Sequence, residues 1–124
     1  MIMMITEEII AAACLLGKSL HEDEALQPFF NALWEFQADD EARSLEEQLY
    51  ATYHNLLARQ QAGEQLSRDE TQAFYELRRK VQTHPLIAKR EYELRLIKPY
   101  LAEVADEISA ILGVDYTILA QPTQ

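Results

Sequence analysis

Cysteine, glycine and proline are scarce in this chain: one, three and four among 124 residues. A single cysteine, Cys14, excludes an internal disulfide and cannot alone hold zinc or an iron–sulfur cluster. Its apolar setting, Ala12-Ala13-Cys14-Leu15-Leu16, reads as a small buried core residue. So few glycines and prolines leave few turns, which argues against the many short strands of a sandwich or barrel. Glycine-rich phosphate loops and the Gly-x-Ser-x-Gly nucleophile turn are missing. The longest apolar run, Ile9 to Leu16, has eight residues, against about 20 for a membrane-crossing helix. No basic residue precedes the opening apolar residues, and Glu7 and Glu8 follow them. An export signal reads the other way round, so the expected location is the cytoplasm.

Positive charge is also in the minority. Eleven Lys and Arg face 21 Asp and Glu, a formal net charge of -10. Such a chain repels nucleic acid and anionic membranes at long range. Apolar residues make up 48%, which argues against disorder, and the length fits one domain. We expect that domain over residues 1–116 and a frayed tail over 117–124.

The apolar residues recur at helical spacing nearly throughout, so the expected fold is an all-α bundle of about five helices. Thr6 caps a first helix over about 7–20, with Ile5, Ile9, Ala12, Leu16 and Leu20 on one stripe. A second covers 24–38 and holds Leu26, Phe29, Phe30, Leu33, Trp34 and Phe36. Its Pro28 argues for a start near Gln27 or a distorted first turn. A third opens at Asp39 or Asp40, carries Leu45, Leu49, Tyr53 and Leu56, and ends near Gln61 ahead of Gly63. Ser67-Arg68-Asp69-Glu70 is a capping box for a fourth, with Phe74, Leu77 and Val81 facing one way, which stops before His84-Pro85.

The fifth helix runs from Pro85 to Leu112 and ends at Gly113. Leu94, Ile97, Leu101, Val104, Ile108 and Ile111 follow at alternating spacings of three and four, a heptad seam. At 1.5 Å per residue the helix is about 42 Å long, whereas a compact domain of this size is roughly 35 Å across. Its apolar stripe therefore calls for a partner, of which a second copy is the simplest. These six residues are the candidate interface, between subunits or within the chain. Pro99 removes a hydrogen bond to the carbonyl of Arg95. A kink near Pro99 is expected, since the seam continues across it in register, with a full break as the alternative.

Chemistry is thinly signalled. None of His21, His54 and His84 has a glutamate three residues before it, so the Glu-x-x-His pairing of di-iron bundles is absent. The adjacent acids Asp39/Asp40 and Glu46/Glu47 do not face each other on a helix. No catalytic, metal or cofactor residue is expected, nor an enzyme. Charge is uneven: residues 78–98 hold Arg78, Arg79, Lys80, Lys89, Arg90, Arg95 and Lys98 against Glu91 and Glu93. An RNA-binding patch is one reading, and a solvated helix face with internal charge pairing is the other. A ligand pocket lined by Phe29, Phe30, Trp34 and Phe36 is a further alternative, though core packing accounts for them. Six tyrosines, Tyr50, Tyr53, Tyr75, Tyr92, Tyr100 and Tyr116, combine an apolar ring with a polar tip, as at interfaces.

In order, Asp39-Asp40-Glu41-Ala42 opens a long helix and Gln60-Gln61-Ala62-Gly63 closes it. Ser67-Arg68-Asp69-Glu70 opens the next, and His84-Pro85-Leu86-Ile87 is a breaker followed by apolar residues. Leu101-Ala102-Glu103-Val104, Ile108 and Ile111-Leu112-Gly113-Val114-Asp115-Tyr116 form the ending. This succession resembles the YlbF/YmcA family of small helical bacterial proteins. The resemblance implies an all-α fold with long helices, often self-associated, and a regulatory role without catalysis. It further implies partners of the YaaT or ribonuclease Y type, and an influence on RNA processing, competence, sporulation and biofilm formation. Some family members bind an iron–sulfur cluster through cysteines near the chain end. This sequence has no cysteine after Cys14, so that property is not carried over. Pro28, Pro99 and His84, where the family has an Asn-like breaker, are further departures.

Overall fold

The computed structural model describes residues 3–122. The α-helices are α1 (Glu7–Glu22), α2 (Gln27–Ala38), α3 (Asp40–Gln61), α4 (Arg68–Thr83), α5 (Pro85–Leu112) and α6 (Tyr116–Leu119). A 3-10 turn over Glu24–Leu26 precedes α2, and no strand occurs among the described residues. The expected all-α fold with a long final helix is what the chain adopts.

Local chemistry sets the boundaries. The Thr6 hydroxyl accepts the amide of Ile9 at 3.2 Å, Asp39 Oδ1 that of Ala42 at 2.8 Å, and the Ser67 hydroxyl that of Glu70 at 3.1 Å. Each satisfies a first-turn donor that has no partner within its own helix. Gly63 and Gly113 follow α3 and α5 at φ of 89° and 80°, a left-handed conformation that costs other residues a clash with Cβ. Pro28 sits second in α2, where its missing N–H removes nothing, and the turn before it absorbs the change of direction. α5 continues through Pro99 without a break. The carbonyl that loses its bond, on Arg95, lies on an exposed stretch. One further helical turn, α6, forms at the start of the segment expected to fray. Thr123 and Gln124 lie outside the described residues.

The chain divides into two compact units: a central one, Asn31–Leu94, and a terminal one of Met1–Phe30 with Arg95–Gln124. In the central unit α3 and α4 form an antiparallel hairpin, since Arg59 meets Glu70 and Tyr53 meets Phe74. Phe36, Ala42, Val81 and Ile87 are its buried cluster, with Leu45, Leu49 and Leu86 packed against it. Arg90 closes one side. Its guanidinium lies 4.3 Å from the Phe36 ring centroid and donates to both carboxylate oxygens of Glu46, at 3.1 and 2.5 Å. Beside it Lys89 donates to Glu35 at 3.1 Å.

In the terminal unit Leu26 and Ile97 are buried. The Gln27 side-chain amide donates to the carbonyls of His21 at 2.7 Å and Asp23 at 3.1 Å, tying the end of α1 to the start of α2. The Tyr100 hydroxyl on α5 donates to the Asp23 carboxylate.

Candidate functional site

Among the described residues no cluster of three or more histidine, cysteine, aspartate or glutamate side chains could hold a metal ion. No described helix is long and apolar enough to cross a membrane. The histidines serve local structure. His84 Nδ1 accepts the Leu86 amide at 3.3 Å at the start of α5, and the rings of His21 and His54 pack beside Phe30 and Tyr53. The aromatic residues suggested as a pocket lining do other work. Phe36 belongs to the central core, and Phe29 meets Phe30 edge-on at 5.8 Å.

The heptad seam is graded. Leu94 is half-buried, Ile97 is buried, Leu101, Val104 and Ile108 are half-buried, and Ile111 is 89% exposed. The terminal unit leaves more apolar surface open. α1 buries no residue, and its Ile9, Ile10, Leu15 and Leu16 are all exposed. So are Leu112, Val114, Ile118 and Leu119 near the other end of the chain. Cys14, expected in a core, is exposed on α1. Its apolar neighbours line a helix that the folded chain does not cover.

Two members of the basic segment are held in ion pairs. Lys89 is bound to Glu35 and Arg90 to Glu46 and Glu91. The Glu46 carboxylate holds the Arg90 guanidinium pKa above its ordinary value. Charge pairing accounts for these two, as in the alternative reading. The side chains of Arg78 and Arg79 on α4 have no ion pair or hydrogen bond among the described residues, though the Arg79 carbonyl accepts from the Thr83 hydroxyl at 2.8 Å.

Beside these arginines the α3–α4 hairpin carries a shallow groove. One hollow of about 180 Å³ is lined by Tyr53, Leu56, Leu57, Gln60, Leu66, Thr71, Phe74 and Tyr75. A second shares Tyr53 and Phe74 and continues to Leu49, Tyr50, Arg78 and Gln82. The tyrosines were noticeable in the sequence only one by one. Tyr50 and Tyr53, three apart on α3, were the available signal, but the matching register of Phe74, Tyr75 and Arg78 on α4 appears once the hairpin forms. Elsewhere on the hairpin Arg59 donates to Glu64 at 2.7 Å and to Glu70 at 2.5 Å. The guanidinium holds the Glu70 carboxyl below the usual carboxylate range, aided by Ser67.

Two exposed surfaces therefore stand out, one aliphatic in the terminal unit and one aromatic and basic in the central unit. No curated protein and no solved structure matches the chain. The family described as "Control of competence regulator ComK, YlbF/YmcA" matches it over residues 9–112, through all five long helices. With a helical fold whose boundaries follow the family's succession of caps and breakers, the chain belongs to the YlbF/YmcA family of regulators.

Proposed function

We propose that this protein is a non-catalytic adaptor that self-associates through its terminal unit and regulates other proteins by helix-mediated contacts. The observation that carries the reading is the uncovered aliphatic surface. Ile111 is 89% exposed, Ile118 and Leu119 64% each, and α1 buries nothing. Exposed aliphatic side chains in this number are the kind of surface that marks contact sites in proteins that persist in water. Of the seam residues Leu94, Ile97, Leu101, Val104, Ile108 and Ile111, the last four are the α5 part of the contact, while Ile97 is buried within the chain and Leu94 lies in the central unit. A second copy is the partner that needs no further chain, because a two-fold arrangement brings the same patch to itself.

By resemblance to the family, the regulated process is ribonuclease Y-dependent RNA processing, with effects on competence, sporulation and biofilm formation. Partners of the YaaT or ribonuclease Y type fit that role. Cytoplasmic action follows from the same reading, as does a single domain over residues 1–116. Direct RNA binding by residues 78–98 is less well supported, because Lys89 and Arg90 are already paired within the chain.

Sedimentation of the full chain tests the self-association. The expected mass is a multiple of 14.3 kDa. Ile111→Glu is expected to lower it without loss of helix signal, since that side chain has little to lose in a monomer. A wild-type monomer at tens of micromolar, about the concentration where weak dimers form, would overturn the reading. Affinity purification of the tagged chain from its own cells at two salt concentrations then tests the partners. Co-purification of a YaaT-like protein or ribonuclease Y is the expected outcome.

A further inference from the structure

The α3–α4 groove is distinct from the self-association surface, and its chemistry is specific. Tyr50, Tyr53 and Tyr75 are 59%, 47% and 56% exposed, and Phe74 lies half-buried between α3 and α4. Arg78 and Arg79 stand at one end without a carboxylate partner. In a chain of net charge -10, none of the residues lining the three hollows along this hairpin is acidic. Tyrosine and arginine are the residue types that dominate binding hot spots, because each covers apolar area while keeping a polar or charged tip.

We infer that the α3–α4 groove is a docking site for an acidic amphipathic helix of another protein. The lining from Leu49 to Gln60 covers about 16 Å at 1.5 Å per residue, or three turns of a docked helix. The form is that of a helix laid in an apolar groove, with anchors repeating every three or four residues. Tyr53, Phe74 and Tyr75 receive those anchors. Arg78 and Arg79 meet carboxylates at one end of the ligand helix, which sets its direction and raises its rate of encounter.

Other occupants fit less well. Single-stranded RNA would stack on the tyrosines, yet Arg78 and Arg79 are the only cations lining the hollows, and in a chain of net charge -10 they give little electrostatic attraction to a phosphate backbone. The α1 helix of a second copy is apolar and net acidic, with Glu7, Glu8 and Glu22 against Lys18, and is the nearest competitor. Its stripe is accounted for by self-association. The choice of occupant rests on that reading, although a monomer would present the same groove.

The test is site-specific photocrosslinking of the full chain in its own cells, with a benzophenone side chain placed at Gln82 in the groove. The same group at Asn55, which helical periodicity puts on the opposite face of α3, is the control. The adduct at Gln82 is expected to be a helical, net-negative segment of a different protein. The double variant R78E/R79E is expected to lower adduct yield by roughly tenfold or more, with helix signal and sedimented mass unchanged. The double variant R78K/R79K, which keeps both charges, is expected to retain most of it. An adduct on residues 7–22 of a second copy, an adduct on RNA, or a yield at Gln82 no higher than at Asn55 would overturn the inference. So would R78E/R79E crosslinking as well as the wild type. A change in mass with Ile111→Glu leaves these outcomes untouched, so failure of either reading is seen separately.

Discussion

The central and terminal units solve the same packing problem to different extents. In the central unit every strongly exposed large apolar residue is aromatic: Trp34, Tyr50, Tyr53, Tyr75 and Tyr92. Its large aliphatic residues are covered to some degree, around Phe36, Ala42, Val81 and Ile87. In the terminal unit the exposed residues are mostly aliphatic, including Ile9, Ile10, Leu15, Leu96, Ile111, Ile118 and Leu119. The distinction matters because a tyrosine can keep its hydroxyl in water, whereas isoleucine and leucine have no polar tip. One unit is closed by its own core and adds an amphipathic groove. The other leaves aliphatic surface exposed.

The comparison can be broken most forcefully at the central core. Phe36→Ala removes a buried ring and the platform under Arg90, and is expected to cost about 3–5 kcal/mol. Urea unfolding followed by helix signal measures it, and a loss below about 1 kcal/mol would show that the central unit is not closed by this cluster. Glu46→Gln leaves the largely covered Arg90 with a neutral partner. A loss of about 1–3 kcal/mol is expected from weakening charge-assisted bonds, measured the same way, while the more exposed pair Arg43–Asp40 is expected to contribute at most about 1 kcal/mol.

The terminal unit is sharpened by changes that leave the monomer intact. Leu15→Glu alters a residue 68% exposed, so it is expected to change intrinsic stability by no more than about 0.5 kcal/mol. It should nevertheless remove the dependence of the melting midpoint on protein concentration that a self-associating chain shows. Calorimetry at several concentrations reads this directly.

The smallest effect concerns the Tyr100–Asp23 bond. The Tyr100 hydroxyl lowers the Asp23 pKa, and Asp23 raises that of Tyr100. A carboxyl held low contributes stability that is full above its unfolded pKa, near 3.9, and is lost as pH falls through the folded value. A phenol held high contributes stability that is full below its unfolded pKa, near 10, and is lost as pH rises through the folded value. The bond is therefore expected to stabilise the terminal unit between about pH 4 and pH 10. Tyr100→Phe should lower the melting midpoint slightly across that window and flatten its fall at either end. An unchanged pH profile would show that the contact adds nothing in solution.

Much of the fold was legible because helix ends are set by neighbours in sequence. Thr6, Asp39, Ser67, His84-Pro85, Gly63 and Gly113 mark the observed boundaries to within a residue or two. Each acts through bonds or dihedrals spanning a few residues. Pro99 was read in the same way, and α5 does continue across it. Burial was harder to read. Cys14 has the sequence setting of a core residue and is exposed, because the packing of α1 within the chain fully buries none of its residues. The basic run 78–98 looked uniform, yet Arg90 is bound to Glu46, 44 residues away, while the side chains of Arg78 and Arg79 have no ion pair or hydrogen bond among the described residues. The groove depends on two tyrosines of α3 facing an aromatic pair of α4, a juxtaposition with no local signature.

The sequence by itself determined the helices, their ends and the family, since capping, turn chemistry and apolar periodicity are all short-range. Tertiary structure alone decided which apolar stripes are covered and which charges are spent. Both depend on residues far apart in the chain that meet only when the helices pack.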